Sequence, residues 1–354
     1  MNRFVQLHLL TFYPPSNLNR DDSGKPKTAI VGGATRLRIS SQALKRAWRT
    51  SDIAEKILAG HLGKRTQRIG VLVLDHLRGK ADDAKALEIA REIAAAFGKV
   101  KSEESAVLTE QLAFVSPEEQ QAAIAYAEAR LSGTQAAQEK KALAEALLRK
   151  TDTAADIAMF GRMLADSPEF NREAAVQVAH AITTHAIAVD DDYYTAVDDL
   201  KTSAEDAGAG FIGETGFGAG VFYLYANIDR ALLRDNLGDD SSVARKAIEA
   251  LVTAAATVGP RGKSASFASF ARAAYILAER GSAAPRTLAG AFLQPVDRLG
   301  RNSDQLATSI NCLRETRARL MTAYGDEGVA STEMNTLDGT GALADIIAFA
   351  TEGL

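Results

Sequence analysis

Gln42, Lys45 and Arg49 recur at i, i+3 and i+7, the spacing that sets side chains on one face of a helix, and Arg46 lies beside them. Leu44, Ala47 and Trp48 make the opposite, apolar stripe. Cationic and amide side chains in that pattern hold anions, phosphate in particular. Just upstream, Arg36, Arg38 and Ser40 alternate with Leu37 and Ile39, a short strand with one basic and one apolar face. Either Ser40 or Ser41 can cap the helix by accepting from an orphan backbone N–H. A helix start favours anions through its free N–H groups and its dipole. The stretch therefore suits a phosphate backbone crossing the start of the helix. It also fits the solvated face of an ordinary amphipathic helix.

Other chemistry-bearing motifs are weaker. His180 and His185, five apart on a strand, face opposite ways and cannot share a metal. Residues 208–220, GAGFIGETGFGAG, begin like a dinucleotide fingerprint, but more glycines and then a strand follow where a helix should open, so a β-hairpin arm fits better. Gly259-Pro260-Arg261-Gly262-Lys263-Ser264 ends like a phosphate-binding loop, yet Thr257 stands where its first glycine belongs. The single cysteine, Cys312, excludes an internal disulfide and any Cys-rich metal site.

The elements that position these residues are legible in outline. The chain has 354 residues and net charge −4, but residues 1–50 carry nine Lys or Arg against Asp21 and Asp22, leaving −11 for the rest. A basic face on an otherwise acidic protein implies a local anion site. No apolar run reaches the roughly 18 residues of a membrane span and no signal peptide opens the chain, so no membrane partner and a cytoplasmic location are expected. Residues 4–13 read as a central strand, apolar on both faces. Residues 60–178 are Ala-rich and helical in period, an all-α insertion. Strands are expected at 177–187, 221–228 and 267–279, and helices at 41–50, 241–258 and 304–324, with a weakly ordered end. Without the insertion and the glycine arm a βαββαβ order remains, so the expected class is α+β, ferredoxin-like, of the RNA-recognition-motif type.

The motifs Leu18-Asn19-Arg20-Asp21-Asp22, Arg38-Ile39-Ser40-Ser41-Gln42, Leu44-Lys45-Arg46-Ala47 and Gly161-Arg162-Met163 occur in that order, followed by 179–185 (AHAITTH), 195–200 (TAVDDL) and 220–228 (GVFYLYANI). In these the sequence resembles the CasC family, the repeated backbone subunit of the type I-E CRISPR surveillance complex Cascade. The resemblance implies a palm (1–59, 179–188 and 221–354), a helical fingers insertion (60–178) and a glycine-rich thumb hairpin (189–220). It also implies a non-catalytic protein without cofactor or metal. Its partners would be CRISPR RNA, further copies of itself, other subunits of the CasA, CasB, CasD and CasE types, and target DNA through guide pairing.

Carried over residue by residue, the RNA-backbone contacts fall on Arg20, Ser40, Gln42, Lys45 and Arg49, with Arg46 as a further candidate. The fingers methionine that wedges against RNA falls on Met163. Thumb residues near a displaced base fall on Tyr193, Tyr194, Thr195 and Ile212, Tyr193 standing where a relative has Trp. Target-DNA contacts fall on Lys140 and Lys141. A competing reading is a metal-dependent ribonuclease like the type III backbone subunits, using Asp21, Asp22 or Asp190–Asp192, since such cleavage needs carboxylates converging on phosphate. In the first reading Asp21 orients Arg20 and Asp190–Asp192 form a solvated turn. A third is a stand-alone RNA-binding protein.

Overall fold

The N-terminal run, apolar on both faces, is expected to lie inside a sheet. The computed structural model, which describes residues 2–102, 107–196, 211–296, 304–326 and 329–354, puts it there. After β1 (Phe4–Ser16) come β2 (Thr28–Val31), β3 (Ala34–Ile39), α1 (Ser41–Arg49) and α2 (Asp52–Ile57). A mainly helical stretch follows, with β4 (Lys64–Thr66), α3 (Ile69–Leu77), α4 (Asp83–Phe97), β5 (Ala113–Val115), α5 (Pro117–Ser132), α6 (Lys140–Leu147) and α7 (Ala155–Phe160). Next are β6 (Val176–Val178), β7 (Ala181–Thr183), β8 (Asp190–Ala196) and β9 (Phe211–Asp229). The remainder holds α8 (Arg230–Asn236), α9 (Ser241–Thr257), α10 (Ser264–Phe267), β10 (Tyr275–Gly281), α11 (Gln305–Tyr324), β11 (Ala330–Asn335) and α12 (Leu343–Thr351).

Among the described residues the main sheet has nine strands in the order β11-β10-β1-β9-β7-β3-β2, with β6 and β8 also paired to β9. Every pairing is antiparallel. On one face Val5, Leu7, Leu9, Leu37 and Ile39 pack with Leu44 and Trp48 of α1 and with Ile248 and Leu251 of α9. On the other, Leu10, Tyr223, Tyr275 and Leu277 pack with Leu288, Phe292, Ile310 and Leu313, the last two from α11. Each such side chain contributes about 1.5–3 kcal/mol by leaving water. The helical stretch has a cluster of its own, including Ile69, Val73, Ile89, Ile93, Phe97, Tyr126 and Leu143. Pro117 opens α5 as its position suggests, behind a Ser116–Glu119 capping box.

Four expectations are corrected. The insertion is not all-α: β4 and β5 form a two-stranded sheet, pairing Arg65 with Phe114. Strands that short, far apart in sequence, leave no periodic signal. The strand expected from 267 starts at Tyr275, because Ser264–Phe267 is helical and Lys263 and Ala268 on either side of it adopt left-handed φ of 45° and 48°. The weakly ordered end contains β11 and α12. The strand expected over 177–187 is broken: Val178 pairs with Ala226 and Ile182 with Tyr223, so one extra residue bulges between them. His180 lies in that bulge and is exposed.

The glycine-rich arm is a hairpin of β8 and the first part of β9, running from the Asp190–Phe217 pair to the Ala196–Phe211 pair. Its glycines allow close approach. A Cβ at Gly213 would lie 2.4 Å from the Tyr194 ring, and one at Gly216 would lie 3.1 Å from Pro26. Asp190–Asp192, expected as a solvated turn, are strand residues of β8. The expected thumb residues 197–210, Gly208 and Gly210 among them, lie outside the described residues.

Candidate nucleic-acid interface

Helix α1 is built as its sequence implies. Leu44, Ala47 and Trp48 are buried, and the Trp48 indole N–H donates to the Val258 carbonyl at 3.2 Å. Ser40, not Ser41, is the cap: its hydroxyl accepts from Ala43 N–H at 3.3 Å. The helix start is less open to anions than expected. Ser40 N–H donates to Asn19 Oδ1 at 2.8 Å, and Ser41 N–H donates to His180 Nδ1 at 3.1 Å. Partial desolvation, then the charges of Arg38 and Lys27, hold the His180 imidazole below the usual histidine range, which keeps it neutral and able to accept. The bulge between β6 and β7 delivers this ring.

The basic strand face is also corrected. Arg36 is fully buried, with its guanidinium donating to the carbonyls of Thr183 at 2.9 Å and Phe292 at 3.0 Å. Both sheet faces are covered, so the face that alternation made basic is interior at residue 36. Arg38 stays partly exposed, 3.4 Å from His180.

On the polar face of α1, Gln42 and Arg46 are exposed while Lys45 and Arg49 are half-buried against the helical stretch. The Lys45 ammonium lies 5.7 Å from the centre of the Phe160 ring, and burial lowers its pKa. Arg49 sits 5.1 Å from the Phe114 ring centre and 3.6 Å from Asp156. Asp156 is buried on α7, and desolvation pushes its carboxyl up to about 6 against the N–H groups of Gly63 and Ile157, which donate to its Oδ1. Three residues beyond Phe160, Met163 is 77% exposed. The turn between them needs Gly161, whose φ is +78° and whose Cβ would lie 3.0 Å from the Arg172 carbonyl.

Arg20 is exposed in the turn that leads back to α1 through Asn19. Asp21 does not orient Arg20: its carboxylate accepts from the Ser23 hydroxyl and from the N–H groups of Ser23 and Lys25, which hold its pKa down. Lys25 in turn reaches Asp191 at 3.2 Å, and Asn17 donates to the Gly216 carbonyl at 2.9 Å, fastening this turn to the base of the hairpin.

The proposed residues thus fall into groups. Gln42, Lys45, Arg46 and Arg49 share α1, with Arg20 at its entrance and Met163 three residues along the chain from Phe160, the ring that Lys45 faces. Tyr193, Tyr194, Thr195 and Ile212 form a second group, exposed on the hairpin, where Thr195 and Ile212 are direct cross-strand partners. Lys140 and Lys141 lie apart at the start of α6, and Lys140 is paired with Asp166 at 2.9 Å. Sequence reasoning missed Phe211, exposed with its ring 6.1 Å from that of Tyr194, although an aromatic next to Ile212 in a β-run is a readable signal. It also missed Phe114, Phe160 and Asp156, and read His180 only as a strand histidine; tertiary packing alone brings these four to α1. Among the described residues no three His, Cys, Asp or Glu side chains gather as a metal site, and no helix is long and apolar enough to cross a membrane.

The family model described as CT1975-like protein matches residues 5–350. No curated protein matches. A solved chain described as "CRISPR RNA-guided surveillance complex, pre-nicking" is 28% identical, with a TM-score of 0.83 over 98% of this chain and 100% of that one. Another, described as "CRISPR RNA-guided surveillance complex", is 25% identical, with a TM-score of 0.72 over 98% of this chain and 99% of that one. Matched over nearly its whole length, the chain belongs to the CT1975-like protein family, the CasC-type backbone proteins whose motifs it carries.

Proposed function

We propose that the chain is a non-catalytic backbone subunit of a type I-E CRISPR surveillance complex. Copies pack head to tail along CRISPR RNA, hold its phosphates without reading sequence, displace bases at intervals and present guide segments to target DNA. In this reading the main sheet and its helices are the ferredoxin-like palm, the helical stretch is the fingers and the β8–β9 hairpin is the thumb. The observation that carries it is the polar face of α1, which presents Gln42 to solvent and sets Lys45 and Arg49 in a seam against α7 and β5. Such side chains suit phosphate, and sequence-independent affinity must come from phosphate. Base pairing then supplies the specificity, a division of labour also found in another class of guided effector.

Two further features support it. Exposed apolar groups mark interaction sites, and the hairpin exposes such a pair on each of its faces, Tyr194 with Phe211 on one and Tyr193 with Ile212 on the other. Aromatic faces stack on unpaired bases of any sequence. Both solved chains cited above come from RNA-guided surveillance complexes and are matched along their full length. On this reading subunits of the CasA, CasB, CasD and CasE types complete the assembly. Purification from cells carrying a CRISPR array tests it. The expected result is a bound RNA with a common repeat-derived end and assemblies that lengthen with the RNA. A monomer without RNA contradicts it.

A further inference from the structure

The two-stranded β4–β5 sheet carries a second cation, at the position paired with Phe114, whose ring Arg49 faces. Its register pairs Arg65 with Phe114. Directly paired residues of antiparallel strands project from the same face, so Arg65 and Phe114 share one. Ala113 and Val115, on the alternate face, are buried in the core of the helical stretch. The ring itself is fixed. The Phe114 carbonyl accepts from Arg162 at 3.2 Å, and Arg162 is buried against Glu119. Just before β4, a Cβ at Gly63 would lie 2.9 Å from the Phe114 ring, so only glycine lets the ring seat there. The Gly63 N–H donates at 2.7 Å to Asp156, the carboxylate that Arg49 faces. One buried acid therefore fastens both α1 and the start of β4.

The charges around Phe114 do not balance. Arg49 has Asp156, but Arg65 is exposed and takes part in no ion pair among the described residues. One carboxylate for two arginines, Arg49 at the Phe114 ring and Arg65 at the position paired with Phe114, leaves a net positive charge next to the α1 seam. A phosphate diester supplies the missing anion. We propose that Arg65 is a further phosphate ligand, extending the α1 cradle onto the two-stranded β4–β5 sheet. Its ligand is a single-stranded RNA backbone passing from Arg49 over residue 65, and the proposal rests on α1 being the RNA cradle.

The test uses the full chain and two single-stranded RNAs of unrelated sequence, with affinity measured across a salt series. Arg65→Ala is expected to weaken both RNAs several-fold and to lower the salt slope by about 0.7, the contribution of one single-strand phosphate. Arg65→Lys restores most of the loss, because a lysine still serves phosphate as a point charge. Arg319→Ala, which removes an exposed arginine from α11 on the opposite face of the sheet, leaves binding unchanged and controls for net charge. If Arg65→Ala behaves like Arg319→Ala while Lys45→Ala weakens binding, Arg65 is not a ligand and the cradle stands. If Lys45→Ala also changes nothing, the cradle itself is wrong. A loss that tracks a lowered melting temperature and is not restored by lysine makes Arg65 structural and overturns the proposal.

Discussion

Arg49 Nη1 lies 3.6 Å from Oδ2 of Asp156, and that oxygen accepts no hydrogen bond among the described residues. The two side chains meet across the seam between α1 and α7, one nearly free of solvent and the other with a free edge. Both hydrogen bonds to this carboxylate fall on Oδ1, so Oδ2 meets Arg49 by charge alone, and burial outweighs these contacts in setting its titration.

Asp156 makes stability depend on pH in a direction opposite to most carboxylates. Its folded pKa of about 6 stands above the ordinary aspartate value of 3.8, so the folded state holds its proton more tightly than the unfolded chain. The stabilisation is complete below pH 4 and is lost as pH rises through 6, up to about 3 kcal/mol at 1.4 kcal/mol per unit. Asp156→Asn keeps a carbonyl oxygen for Gly63 and Ile157 and removes the titration. Melting temperatures measured from pH 4 to 8 should show the variant gaining on the wild type across pH 4–6. Parallel curves contradict this.

Trp48 and Lys45 should separate stability from binding. Trp48 is 2% exposed, and Trp48→Ala is expected to cost about 3–5 kcal/mol in urea unfolding. Lys45→Ala, on the other face of the same helix, should shift stability by less than about 0.5 kcal/mol while weakening RNA.

Ser40 is both cap and proposed ligand. Ser40→Ala removes the acceptor for Ala43 N–H and should cost about 1 kcal/mol. Ser40→Asp restores a cap and adds a negative charge where phosphate is expected to pass. Wild-type stability with weakened RNA binding is the predicted outcome for that variant, and unweakened binding removes Ser40 from the cradle.

The hairpin face depends on Gly213. A side chain there must displace the Tyr194 ring, which its Cβ would approach to 2.4 Å. Gly213→Val should leave the melting temperature within a degree or two, because the ring is exposed, and should weaken RNA-dependent assembly. Unchanged assembly places the displaced-base contact elsewhere.

The α1 face was legible because helical periodicity is a local property: Gln42, Lys45 and Arg49 declare their face within eight residues. The glycine arm was legible too, since a run of glycines before an alternating strand excludes a helix. Arg36 was misread because alternation divides a strand into two faces without saying which one meets water, and here Phe292 and α11 cover the second. His180 was misplaced because a one-residue bulge leaves no mark on an alternating sequence. Asp156 and Phe114, which set the charge and shape of the seam, reach α1 only through packing of the helical stretch, and no pattern near residue 49 announces them.

The central claim is that the α1 face holds RNA by its phosphates. Affinity of Lys45→Ala/Arg49→Ala for RNAs of unrelated sequence, measured over a salt series, tests it most directly. The predicted result is an equal loss for every sequence and a salt slope lower by about 1.4, two phosphates' worth. Unchanged affinity and slope contradict the account.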